Sequence, residues 1–239
     1  MKKTIGLLAL VLVMVMGLPA FAQAEPVESP RAQITELVLN RSSGTILVGK
    51  TAQLKITAFA PSDATAQTKP VWRSSNNAIV SVSNKGKIKA LHAGVESITC
   101  TVDGVTATCV VTVVTKADLY KAEVISLVNQ QRANRGLAPL RSNETLQEAA
   151  DVRAREIIVR FAHERPDGSL YSTALPPMSG YRISGENIAA GYANPKAVVR
   201  GWMNSQGHRE NILYSDFTDI GIGLAARSGR IYWVQLFWG

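Results

Sequence analysis

Histidine and cysteine are scarce in this chain: of 239 residues, three are histidine and two are cysteine. Any chemistry that rests on imidazole must therefore use a small, nameable set. No "HExxH" helix and no "GxSxG" elbow occurs, so the two commonest local signatures of a zinc peptidase and of a serine hydrolase are missing. No block of clustered lysine and arginine is present, which leaves nothing to favour a nucleic-acid partner. After residue 24 no segment is apolar enough to cross a bilayer.

What is there begins with "MKKTIGLLALVLVMVMGLPAFAQA". Two lysines, an apolar run and the small residues Ala22-Gln23-Ala24 form the three-part layout of a secretory signal peptide over residues 1–24, with cleavage expected after Ala24. The alternative is an uncleaved anchor, for which the run is short. The leader holds no cysteine to carry lipid, and the C-terminal "IYWVQLFWG" resembles no polar sorting tail. Free secretion, or retention at the cell surface by non-covalent contacts, is the expected outcome. Without the leader the charge is 24 − 18 = +6, divided as 9 bases and 6 acids before residue 116 and 15 bases and 12 acids after it. Such a balance suits an exported protein that meets anionic wall polymers.

The rest, 46% hydrophobic over the whole chain, is ordinary packed globular material with two grammars. From Ile34 to Val114 it reads as short, β-branched, alternating strands, "LKITAF", "AIVSVS", "GKIKAL", "ESITCTV" and "ATCVVTV", separated by Gly, Asn and Asp turns. That spacing predicts a small antiparallel sandwich. Cys100 and Cys109 flank "TVDGVTAT", whose Asp103-Gly104 pair signals a hairpin, and in an oxidising compartment a disulfide between them is expected. A strict two-residue turn would miss the register by a step, and the alternative is two half-buried thiols.

Along this half Trp72, Ser74-Ser75, Ile79-Val80, Val82, Gly86, Ala90 and Gly94 fall in a pattern that resembles the group 2 bacterial Ig-like domains, over residues 34–114. The resemblance implies a spacer or adhesion module on a surface protein. Trp72 and the alternating Ile and Val residues read equally as core, and His92 as a loop residue.

Near "TKADLY" the period becomes helical, across a short linker without Pro or Ser runs. Tyr120, Val124, Leu127 and Val128 mark one helix; Leu146, Ala150, Ala154, Ile157, Ile158 and Phe161 mark a second, with Ser142 or Asn143 as its cap. A third is predicted from Pro195 behind the cap Asn194, with Gly207 interrupting it just before His208. Two strand-like runs, "DIGIGLAA" and "RIYWVQLFWG", close the chain, and helices followed by a hairpin make an α+β domain.

Three stretches of this half, "FAHERPDGS", "SGENIAAGY" and "SQGHRENIL", collect the residue types that chemistry favours. Each has a bland account: His163 at a helix end, Glu186 in a cap or salt bridge, His208 at a helix terminus, Asn187 and Asn211 as loop-fixing hydrogen bonders. Two imidazoles and a carboxylate are also a plausible zinc set. The histidines lie 45 residues apart, so only the fold can bring them together. Ser205, three residues before His208, lacks the setting of a nucleophile.

"LVNQQRANRGLAPL", "HERPDGS", "GENIA", "WMNSQGHRENIL" and "IGIGLA", in that order, resemble the CAP superfamily (cysteine-rich secretory proteins, antigen 5 and pathogenesis-related proteins) over residues 119–239. The resemblance implies an α-β-α sandwich around a cleft with two histidines and two acidic residues that can hold a divalent metal, often zinc. It assigns His163, Glu186 and His208 to that cleft as metal ligands. The fourth position has no well-placed glutamate, with Glu164 and Asp167 the nearest candidates. The multidomain chain is thus expected to be a secreted binding protein whose partner is an unidentified wall polymer, protein or lipid. The alternative is a metal-dependent peptidase with Glu186 as base on a zinc-bound water.

Overall fold

A computed structural model describes residues 32–175, 180 and 182–239. The expected signal peptide lies outside the described residues. Two domains follow one another, an all-β Ig-like sandwich and an α+β domain, and among the described residues no helix is long and apolar enough to cross a membrane.

The first domain contains β1 (Glu36–Leu39), β2 (Ser43–Leu47), β3 (Thr51–Gln53), β4 (Ile56–Ala60), β5 (Val71–Ser74), β6 (Val80–Val82), β7 (Lys87–Ala90), β8 (Gly94–Val102) and β9 (Val105–Val114). A four-stranded sheet in the order β2-β9-β8-β5 and a three-stranded sheet in the order β3-β7-β6 share a core of Leu54, Val80, Ile88, Ile98, Val111 and Val113, while β1 pairs with β4. Gly86, at φ +74°, sits where a Cβ would come 2.6 Å from the Leu54 carbonyl oxygen and 2.9 Å from the Trp72 ring, so no side chain fits under that tryptophan.

The expected disulfide does not form: Cys100 and Cys109 are free and buried. The reason is register. Asp103-Gly104 is a two-residue turn with Val102 opposite Val105, which places Cys100 opposite Ala107 and Cys109 opposite Ile98. The thiols are diagonal neighbours, about 7–8 Å apart at Cα, beyond the ordinary reach of a disulfide. Burial pushes both thiols above their ordinary pKa.

Only Thr115 separates β9 from α1 (Lys116–Ala133), and it caps the helix in a reciprocal box with Asp118. Then come β10 (Arg141–Ser142), α2 (Glu144–Val159, capped by Asn143), a 3-10 turn at Tyr171–Ala174, β11 (Ser184–Ala190), α3 (Pro195–Asn204, capped by Asn194), α4 (Gln206–Ile212), β12 (Asp219–Arg227) and β13 (Arg230–Trp238). The strands form one sheet in the order β10-β12-β13-β11. Period-2 alternation divides its side chains between two cores. Ile220, Ile222, Trp233 and Phe237 meet Val124 and Val128 of α1 and Val198, Val199 and Trp202 of α3. Ile188, Val234, Leu236 and Trp238 meet Leu146, Ala149, Ala150, Ala154 and Ile157 of α2. The result is an α-β-α sandwich.

The glycines of "DIGIG" explain how closely α2 lies on the sheet. A Cβ on Gly223 would fall 1.9 Å from the Ala150 carbonyl oxygen, and one on Gly221 would fall 2.3 Å from the Leu146 carbonyl carbon. Helix backbone occupies the space where side chains would stand. Three details depart from the sequence reading. Phe161 lies beyond the end of α2 and is 53% exposed, so it is not on the buried stripe. "SGENIAA" is a strand, not a loop. Gly207 does not stop a helix: α3 ends at Asn204, and α4 carries Gly207 and His208 in its first turn.

Candidate functional site

β11 pairs only with β13 and forms one edge of the sheet among the described residues. Its alternation sends Glu186 to the α2 side and Asn187 to the side of α3 and α4. The loop after α2 brings His163 to this edge, and α4 brings His208.

The Glu186 side chain has no exposed surface, and it is ionically clamped. Arg153 of α2 donates from Nε to Glu186 Oε1 at 2.7 Å and from Nη2 to Oε2 at 3.3 Å, and His163 Nδ1 bonds the same Oε2 at 2.8 Å. A carboxylate is acceptor-only, so His163 carries its proton on Nδ1, and a neutral ring keeps its Nε2 lone pair directed away from Glu186. Arg153 is itself fully buried and also serves Glu156 Oε2 at 2.8 Å and the Ala162 carbonyl at 2.9 Å. Burial opposes its charge, but the hydrogen bonds it donates to Glu186 and Glu156 outweigh that and hold the guanidinium above its ordinary pKa. Arg165 donates from Nη2 to Glu156 at 2.6 Å, extending the chain of alternating charges to the His163 loop.

A second network fixes α4. Asn187, fully buried, donates from Nδ2 to the His208 carbonyl at 3.0 Å and to Gln235 Oε1 at 2.9 Å. Asn211 donates to Asn187 Oδ1 at 2.9 Å and to the Glu186 carbonyl at 3.3 Å. The two asparagines thus tie His208 and Glu186 to one strand. Arg132, buried near the end of α1, serves only backbone carbonyls: Ala138, Ile212, Tyr214 and Phe217, at 2.8–3.1 Å. It secures the exit of α4. Burial, and then repulsion from His163, hold His208 below the ordinary imidazole pKa.

His163, Glu186 and His208 therefore occupy one neighbourhood, but not as a three-ligand set. Among the described residues no three His, Cys, Asp or Glu side chains gather as a metal group. The Glu186 carboxylate is instead the partner of the Arg153 guanidinium and of His163 Nδ1. Of the three, only His163 and Glu186 are hydrogen-bonded to each other among the described residues, with Glu186 behind the His163 ring. Neither candidate for the fourth position joins them: Glu164 pairs with Arg160 at 3.4 Å, and Asp167 accepts from Ser169.

Sequence reasoning missed Arg153, Glu156, Arg132 and Gln235. A signal existed for the two arginines. Arg153 continues the stripe of Leu146, Ala150 and Ile157, and Arg132 that of Val124 and Val128, so each is a charge on an apolar face.

Residues 125–237 match the family model described as CAP, the cysteine-rich secretory protein family, and residues 34–113 match the bacterial Ig-like domain, group 2. The uncharacterized protein YkwD of Bacillus subtilis is 41% identical over 123 residues, which cover 50% of this chain and 47% of that protein. The uncharacterized membrane protein YlbC of the same organism is 33% identical over 118 residues, covering 48% and 33%. The chain thus spans less than half the length of these curated relatives. An extracellular protein with an SCP domain from Bacillus anthracis is 25% identical, with TM-score 0.45, covering 51% of this chain and 40% of that one.

Proposed function

We propose, for a chain that carries a CAP domain behind a group 2 bacterial Ig-like domain, that the CAP domain is a non-catalytic extracellular binding module. Its ligand meets the paired imidazoles at the β11 edge. The observation that carries this reading is the Arg153–Glu186–His163 chain, a buried ion pair that fixes one half-exposed imidazole and leaves its outer nitrogen available. The secretory layout of residues 1–24 supports an extracellular setting. Phe161 and Leu170, 53% and 62% exposed, belong to the same loop as His163 and offer apolar contact to a ligand.

The imidazole pair is also where zinc would be held, by His163 Nε2 and His208, with Glu186 orienting the first ring from behind. Metal would there offer an open coordination position to the ligand. A hydrolase needs a free base, whereas both oxygens of Glu186 already accept hydrogen bonds from a guanidinium. Isothermal titration of metal-free protein with zinc tests the metal: binding is expected for the wild type, lost in His163→Ala/His208→Ala, and weakened about 10–100-fold in Glu186→Gln. No binding, or binding unchanged in the double variant, removes the metal. Equal turnover of casein and of peptidoglycan fragments by wild type and His208→Ala is the outcome the non-catalytic reading requires.

A further inference from the structure

The Ig-like domain carries its charge unevenly. From residue 37 to residue 95 the bases are Arg41, Lys50, Lys55, Lys69, Arg73, Lys85, Lys87 and Lys89, and the one acid is Asp63. The fold gathers part of this set on one face. In β7, Ile88 and Ala90 are buried, so Lys87 and Lys89 stand on the opposite, exposed side. Lys89 lies opposite Thr51 and Ser81, and Lys87 opposite Gln53. Lys85 lies in the turn that leads into β7, where its carbonyl accepts from Gln53 Nε2 at 2.7 Å, and Lys55 follows Leu54, whose amide donates to the Gly86 carbonyl at 3.0 Å. All four lysines are exposed. No ion pair involving any of them is found among the described residues.

We propose that this outer face of the β3-β7-β6 sheet binds a linear anionic polymer of phosphodiester-linked units, such as a polyol phosphate of a cell wall. Lysine ammonium groups are compact, strongly hydrated point charges that meet phosphate without demanding one fixed geometry. Alternate residues of a strand lie about 6.6 Å apart, which presents successive charges in a row to an extended chain. Thr51 and Ser81, opposite Lys89, supply neutral hydroxyl groups beside it. The face has no aromatic side chain on which bases could stack and no arginine to read base edges, so its chemistry suits a phosphate backbone without bases. The choice of a wall polymer rests on the extracellular setting proposed above; the cleft of the CAP domain plays no part in it.

The test titrates the full chain with poly(glycerol phosphate) over a series of salt concentrations, and with a single-stranded oligonucleotide of equal phosphate number. One variant is Lys85→Gln/Lys87→Gln/Lys89→Gln; a control, Lys196→Gln/Arg200→Gln/Arg227→Gln, removes the same charge from exposed positions of the other domain. The wild type is expected to bind the polymer more tightly than the oligonucleotide. The lysine variant should lose about tenfold or more in affinity, with its log–log salt slope shallower by about 2, while the control stays within about twofold of wild type. Absence of saturable polymer binding, equal loss in both variants, or an oligonucleotide bound as tightly as the polymer would each overturn the proposal. Zinc titration of the lysine variant remains as in wild type, which separates failure here from failure of the cleft reading.

Discussion

The side-chain amide of Asn187 donates to the main-chain carbonyl of His208 at 3.0 Å, across 21 residues of sequence. Because Asn187 follows Glu186 on β11, the strand that buries the carboxylate also holds the helix that carries the second imidazole. Asn187→Ala leaves Gln235, Asn211 and the His208 carbonyl short of a partner in a buried network. A loss of about 1–3 kcal/mol in denaturant unfolding is expected, with displaced His208 ring resonances; unchanged resonances would show that α4 is held otherwise.

Arg153 and Glu186 are both buried, and removing either leaves the other with only part of its compensation, Glu156 for the arginine and His163 for the glutamate. Arg153→Met or Glu186→Leu singly should cost about 3–5 kcal/mol, and the double variant much less than their sum. Additive losses in a double-mutant cycle would disprove the coupling.

Glycine substitutions should divide by backbone approach. Gly223→Ala drives a Cβ to 1.9 Å from the Ala150 carbonyl oxygen and is expected to abolish folding of the second domain or lower its Tm severely. Nothing lies within 4 Å of a Cβ on Gly207, inside α4, so Gly207→Ala should stabilise by up to about 1 kcal/mol. Thermal melts of the two variants decide.

Acid sensitivity follows from Asp219 and Glu156. Burial by itself would raise both carboxyls. Hydrogen bonds from Thr218, Arg141 and Asn143 to Asp219, and from Arg165 and Arg153 to Glu156, overcome it and hold both below their ordinary values. As pH falls the unfolded chain takes up these protons first. The stabilisation is full above about 4, the ordinary carboxyl range, and is lost as pH drops through the folded values. Asp219→Asn should flatten the slope of stability against pH below about 4, read from urea midpoints at several pH values.

The diagonal placement of Cys100 and Cys109 predicts two thiols that react with a thiol reagent on unfolding and are shielded in native protein. An intact mass shifted by reductant would contradict the register.

Much of the architecture could be read from the chain, because local signals there agree with the fold. Asn143 and Asn194 cap the helices they announce, Pro195 opens α3, and the alternation of "RIYWVQLFW" divides two cores. The site was legible only in part. His163, Glu186 and His208 stood out by residue type, yet their roles could not be seen: Arg153 stands as a charge on the apolar stripe of α2, but the carboxylate it meets is known only once α2 is laid on the sheet.

Sequence by itself determined the two domains, their order, the strand and helix periods, and the short list of residues able to do chemistry, all of which depend on neighbours within a few positions. Tertiary structure alone decided the rest. A two-residue turn separated the cysteines, an arginine 33 residues before Glu186 clamped its carboxylate, and Lys89 came opposite Thr51 and Ser81 on neighbouring strands. Each is a contact between distant positions, and its energy depends on burial and register that exist only once the chain is packed.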